Sequence, residues 1–421
     1  MRKKVWIVGL IIAIWFVSSV SLGFAQKVTI KYWGMKQAEV RLIEAQQSAL
    51  VDFEKKYPEI KVKITVFPYE AYRDKLLVAT AAGTPPDVSV IDQIWSAEFP
   101  AAGFVIPLDK YIAKSKIVKR DAFFPGAWDS AVYKGKVWGI PFDVGVWAFV
   151  YYNRDMFRKA GLDPNKPPVY WDELLEYGKL LTRDTNGDGE IDQWGLPLYG
   201  AKDEATICTT DAFIFSNGGS ILSEDFSKCV LGNKASVDAL KFYKSLQKIS
   251  PPGAVSRTAE DAFKIFTAGK AAMHLYGEWG QDTVNARAPE MDWAMGFFPK
   301  PHGGKSIGTF GGWNMVIYKK SEHKDQAWKF IEYWTSKGVN EKVAALTPAN
   351  KASANILLAL KRRFPKMIFK QLTESHPRPI SPVYPQISDV QRDAIQYILL
   401  GTKTVKEALD DAAKKIDEII K

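Results

Sequence analysis

Two groups of residues in this chain have types and spacing suited to chemistry. The first pairs aromatic rings with planar polar groups. Trp33, Tyr69, Asp92 and Trp95 belong to it, as do Phe142, Asp143 and Trp147, then Glu278 and Trp279, then Trp313 and Asn314, and finally Tyr384 between Pro382 and Pro385. Aromatic faces stack on the apolar C–H faces of a pyranose ring, while carboxylates and amides bond its hydroxyls in a water-poor cleft. The second group is Asp184, Asn186, Asp188, Glu190 and Asp192, around the turn Gly187 and Gly189. Oxygen ligands at alternate positions about a glycine turn are those of an EF-hand-type Ca²⁺ loop. Gly195 stands where the bidentate Glu would be, and Asp192 at the ninth position is the substitute. Two readings follow, a structural Ca²⁺ site or an Asx-rich surface turn.

Catalytic patterns are weak by comparison. Gly304-Lys305-Ser306-Ile307-Gly308 fits Gly-x-Ser-x-Gly, but Pro299, Pro301 and Gly303 precede it instead of an apolar strand. Pro299 also occupies the place where a phosphate-binding loop needs its first glycine. His274, His302, His323 and His376 show no metal-ligand spacing. A glycosidase would need two carboxylates roughly 5–9 Å apart, one with a raised pKa, and sequence cannot place Asp143 and Glu278 that way.

The N-terminus addresses the protein for export. Arg2, Lys3 and Lys4 precede the apolar run Val5 to Val17, and Gly23-Phe24-Ala25 is a small-x-small cleavage signal. The run is shorter than the roughly 20 residues that span a bilayer, so residues 1–25 are read as a signal peptide and not as an anchor. Loss of the three basic residues lowers the formal net charge from +10 to +7. No basic run or arginine-rich arm stands out, so no nucleic-acid partner is expected. The mild positive balance leaves an acidic ligand open. Cys208 and Cys229 are the two cysteines of the chain. In an exported protein the even count suggests a disulfide, which on the chain-entropy estimate would contribute about 3 kcal/mol; the alternative is two buried thiols.

These residues must be positioned by a chain too long for one core, so two lobes are expected. Val28, Ile30 and Tyr32 alternate with polar residues, as do Ile60, Val62, Ile64 and Val66; Asp87 to Ile91 is a third short strand ending at Asp92. Helical spacing separates them, from Val40 to Tyr57 and from Glu70 to Ala82. Such a βαβαβ run predicts a parallel sheet with right-handed crossovers. Ligands of such sheets bind beyond the strands' C-terminal ends, which singles out Trp33, Gly34, Phe67, Tyr69, Asp92 and Trp95. Thr404 to Ile420 repeats Val405, Leu409, Ala412, Ile416 and Ile419 as an amphipathic closing helix.

Tyr151-Tyr152-Asn153-Arg154-Asp155-Met156-Phe157-Arg158-Lys159-Ala160-Gly161-Leu162, followed by Pro167, Pro168 and Trp171-Asp172-Glu173-Leu174, resembles the carbohydrate-type extracellular solute-binding proteins of ABC importers, the maltodextrin-binding class. Tyr133 to Pro141, Ile265 to Met273 and Gly311-Gly312-Trp313-Asn314 resemble further segments of that family in the same order. The resemblance implies an α/β periplasmic-binding fold, parallel-sheet lobes joined by three hinge crossings, near Pro141 to Gly145, on the return strand Gly308 to Ile317, and at Ser336-Lys337-Gly338. Residues 26–140 with 303–335 would form the N-terminal lobe, and 141–302 with 336–421 the C-terminal lobe. It implies no enzyme activity and no required cofactor. It also implies a monomer that captures a carbohydrate, in particular an oligosaccharide, and hands it to permease subunits. Trp279 matches the turn position that stacks on sugar in this family. A polyol, a glycerol-phosphate diester or a uronate oligomer is the alternative ligand, and a secreted glycan-cleaving enzyme the rival class.

Overall fold

The computed structural model describes residues 27–35, 40–355 and 363–421; the expected signal peptide lies outside the described residues. Strand β1 (Val28–Met35) runs parallel to β2 (Ile60–Phe67) over its whole length. Helix Val40–Lys56 connects them and buries Ala49 and Phe53. Helix Tyr69–Ala81 buries Tyr72, Leu76 and Thr80, one face at i, i+4 and i+8. The Tyr72 hydroxyl donates to the carbonyls of Trp33 and Val90, each at 2.7 Å. It thereby ties the helix to the latter part of β1 and to the middle of the buried β3 (Val88–Asp92), which also pairs parallel with β1. The expected βαβαβ unit is therefore present.

Strands β4 (Val132–Tyr133) and β5 (Lys136–Val137) form a hairpin, with Lys134 and Gly135 both at positive φ in its turn. Strand β6 (Ile140–Asn153) then joins the two halves of the molecule. Its first part pairs antiparallel with β9 (Thr309–Ile317). Its second part pairs antiparallel with β7 (Met273–Gly277) and β8 (Trp293–Phe297). β9 also lies antiparallel to β3. Among the described residues parallel pairing joins β1–β3 and a few short contacts, including the bridge between Trp194 and Ala271. β6 ends at Asn153, whose Oδ1 accepts from the N–H groups of Asp155 and Met156 at 3.0 and 3.1 Å and starts helix Arg154–Lys159.

Two large apolar clusters flank this shared strand. One gathers the N-terminal unit with β9 and helix Lys324–Trp334. The other gathers helices Trp171–Leu181, Glu204–Ser216, Lys234–Ser245, Tyr384–Leu400 and Val405–Ile420. Past Gly338, a helix Asn340–Val343 packs against helix Val40–Lys56, and Val343, Ala349, Ala354, Ile368 and Leu372 all join the first cluster. β11 (His376–Pro377) pairs with the start of β9, and the helices beyond it belong to the second cluster. The short β10 (Thr347–Pro348) closes the sheet against Asp143 and Val144.

The disulfide expected between Cys208 and Cys229 is absent. Both are free and buried: Cys208 packs near Trp147 and Tyr199, while Cys229 belongs to the second large cluster. Separate packing environments hold the two sulfurs apart.

Candidate functional site

A cleft of about 1170 Å³ opens where β6 and β9 pass between the two clusters. Tyr69, Asp92, Trp95, Phe142, Asp143, Trp147, Trp279, Trp313 and Tyr384 line it. Register shifts interrupt β6 at Pro141/Asp143 and at Trp147/Phe149. Such irregularities re-aim side chains locally, and Phe142, Asp143 and Trp147 flank them. On the first lobe's side Tyr69 stacks on Trp95 (6.1 Å, 17°), and Trp313 meets both edge-on. On the other side Trp147, Tyr276 and Trp279 pack within 5.7 Å of one another. Trp95, Trp147 and Trp313 are largely buried, whereas Tyr69 and Trp279 are half-buried. The Trp279 ring crosses directly over Gly145 and Gly277; a Cβ built on Gly277 would stand 2.2 Å from it.

Three of the singled-out residues lie elsewhere. Trp33 packs on Phe67 at 4.8 Å, while its neighbours Tyr32 and Gly34 line the cleft; strand alternation places adjacent residues on opposite faces. Asn314 is fully buried and donates to Ser96 Oγ and Ser130 Oγ at 2.9 and 3.2 Å. Glu278 is fully buried and accepts from the Thr347 N–H (3.2 Å) and hydroxyl (2.5 Å), fastening β10 beside the end of β7.

The polar floor of the cleft carries its electrostatics. Asp143 is 1% exposed; its Oδ2 accepts the N–H groups of Ala345 and Leu346, both at 3.2 Å, and its Oδ1 has no partner among the described residues. Burial pushes its carboxyl up to about 7, against the lowering effect of those two N–H groups. Burial likewise raises Asp92, and the Arg378 guanidinium partly offsets it. Asp92 Oδ1 also accepts the Ile94 N–H at 3.2 Å, and Tyr69 donates to Oδ2 at 3.3 Å. Arg378 reaches across to donate to Glu204 at 2.8 Å and to Asp92 at 3.5 Å. Tyr384 and Ser388 also donate to Glu204. Sequence reading missed Arg378 and Glu204, because a lone Arg between Pro377 and Pro379 carries no pattern pointing to carboxylates so far along the chain.

Other charges rim the cleft. The cations are Arg73, Lys202, Lys264, Arg378 and Arg392; the carboxylates are Asp74, Asp92, Asp143, Asp203, Glu204, Glu260, Asp261 and Asp389.

The Asp184 to Asp192 loop is outside this cleft. Asp184 accepts the N–H groups of Asn186, Gly187 and Gly189, and Asp192 accepts the Thr185 N–H and hydroxyl. These bonds lower both carboxylates from their ordinary value. Among the described residues no group of three or more His, Cys, Asp or Glu side chains converges as a metal site. Burial lowers His274 to about 3, among Phe263, Phe266 and Tyr276, so it is a neutral packing residue.

The sequence profile of the bacterial extracellular solute-binding proteins matches residues 35–341. The chain belongs to that family. These are binding proteins, not enzymes, and the two-lobed α/β fold is the one its structural relatives share. A solute-binding protein of a Thermotoga lettingae ABC transporter, bound with α-D-tagatose, superposes with a TM-score of 0.83 at 30% identity, covering 94% of this chain and 100% of its own. A maltose-bound T. maritima protein gives a TM-score of 0.78 at 28% identity, covering 93% and 100%. A putative binding protein of Brucella abortus is 28% identical over 91% of this solute-binding protein and 93% of its own length. The lactose-binding protein of Rhizobium radiobacter is 26% identical over 73% and 70%.

Proposed function

We propose that the protein captures a carbohydrate between its lobes and delivers it to the membrane subunits of an ABC importer. The observation that carries this reading is the pairing of two aromatic walls, Tyr69–Trp95–Trp313 and Trp147–Tyr276–Trp279, about the buried acceptor Asp143. Rings supply stacking surface, and Asp143 Oδ1 accepts a ligand hydroxyl. Tyr69 and Trp279, being half-buried, offer the larger faces. The ligand bridges both walls and so favours the closed state by contacts the open state lacks. β6 and β9 are the strands about which the lobes close. Capture of a tagatose, maltose or lactose by the relatives supports a sugar. A cleft of about 1170 Å³ is roomy enough for an oligosaccharide.

The mature protein acts as an exported monomer, released by cleavage after Ala25, with no nucleic-acid partner. No cofactor enters capture. An ion at the Asp184 to Asp192 loop would be structural; a saturable terbium titration there would add it without altering the binding reading.

A thermal-shift screen against sugars tests the proposal. By linkage, a ligand at one hundred times Kd stabilises by about 2.7 kcal/mol. Trp279→Ala is expected to weaken binding of the hit at least about tenfold, or about 1.4 kcal/mol, with loss of the ligand-induced change in Trp emission. A hit that binds the variant unchanged would refute Trp279 as the stacking ring. No response to any sugar, with a response to another solute class, would refute carbohydrate capture.

A further inference from the structure

We infer that the cleft selects uncharged, hydroxyl-rich ligands and rejects anionic ones, and that Glu204, acting through Arg378, is the positioning residue that sets this selectivity. The inference rests on the carbohydrate reading and narrows it. The net charge of the mature chain alone leaves an acidic sugar open, but the cleft reverses that sign. Among the described residues eight carboxylates line it against five cations. A cleft with an excess of one sign focuses its field on whatever enters.

None of those cations stands apart from a carboxylate. Arg73 holds Glu98, Lys202 holds Asp393 at 2.5 Å, Lys264 holds Asp261 at 3.1 Å and Arg392 holds Asp389. The exposed pairs of Lys202 and Lys264 are weak, and a lysine can swing out of one. Arg378 cannot, because its side chain is 6% exposed. A planar, buried guanidinium is the group that would clasp a uronate carboxylate or a phosphodiester. Here Asp92 and Glu204 already take it, and Tyr384 and Ser388 hold Glu204 in place. A ligand carboxylate arriving there would be a third anion around one cation, in low dielectric.

A second observation points independently to the ligand's chemistry. Asp143 lines the cleft, and its buried Oδ1 has no donor among the described residues. A ligand hydroxyl, donor and acceptor at once, can meet this carboxyl whether it is ionised or neutral, whereas an ionised ligand carboxylate has no proton to donate to it.

Calorimetric titration of the mature protein tests this. Maltose, lactose, cellobiose and xylobiose serve as uncharged probes, and digalacturonate as an anionic probe of equal size. The expected result is binding of at least one uncharged probe, unchanged between low and high salt, and at least tenfold weaker binding of digalacturonate. Glu204→Gln keeps the side-chain shape but leaves Arg378 with Asp92 as its one carboxylate, so it should narrow that ratio at least tenfold and give the anion a salt-sensitive affinity. Glu204→Asp should restore the wild-type ratio. Digalacturonate bound as tightly as the uncharged probes would overturn the inference and leave carbohydrate capture standing. An unchanged ratio in Glu204→Gln would overturn the role of Glu204. Should that variant not fold, the wild-type ratio and its salt series decide the selectivity. No heat with any probe, while other solutes bind, would overturn capture and this inference together.

Discussion

Replacing Asp143 by Asn removes one titration from the centre of the hinge, and the structure states how stability must respond. Asp143 is buried, with its carboxyl raised from 3.8 to about 7 chiefly by desolvation. For a group whose folded pKa is raised, the stabilising contribution is fully present below the unfolded pKa and is lost as pH rises through the folded one. The window therefore runs from about pH 3.8 to about 7, and at 1.36 kcal/mol per pKa unit the whole loss is about 4 kcal/mol. Between pH 5 and pH 8 the same linkage gives roughly 2–3 kcal/mol. Asn has the same shape and no charge to desolvate. Urea unfolding of the ligand-free wild type and of Asp143→Asn, at pH 5 and at pH 8, should show the wild type losing roughly 2–3 kcal/mol relative to the variant across that interval. A difference that stays constant to within about 0.5 kcal/mol would refute the assignment of a raised carboxyl to this position. A difference that grows in the wild type's favour would reverse the sign of the argument, and would mean that the Ala345 and Leu346 N–H groups outweigh burial.

Gly277 and the thiols give further expectations. In Gly277→Ala the new methyl would meet the Trp279 ring 2.2 Å away, so the half-buried ring must swing out; stability should fall by about 1–3 kcal/mol, and ligand affinity should drop as in Trp279→Ala. Retention of full affinity would show that Trp279 does not stack on the ligand. Burial pushes the Cys208 thiol up strongly and Cys229 up to about 11, so a disulfide-exchange reagent at pH 8 should leave both unmodified in the native protein and titrate both in denaturant; absence of titratable thiol after denaturation would mean a disulfide and refute the packing described above.

Much of this protein follows from local pattern. Period-two alternation in Val28–Met35 and Ile60–Phe67, with helices between, is sufficient for the parallel start of the sheet, because strand and helix periodicities dictate which faces must be buried. Asn153 as a helix start needed only its own carbonyl oxygen and the next few N–H groups. The closing helix Val405–Ile420, with Thr404 and Glu407 capping each other, is equally local. The cleft aromatics were legible because strand ends and the hinge are where the topology leaves the sheet open. Tertiary structure decided the rest. Whether Tyr32 or Trp33 faces the ligand depends on which side of β1 the second lobe covers, and the sequence rule reaches only the strand end. Arg378 meets Asp92 across 286 positions and Glu204 across 174. Cys208 and Cys229, close in sequence, are held apart by the packing of separate clusters. Contacts of that kind carry no local signature, because they arise only when the folded chain has brought distant segments to one place and excluded water from between them.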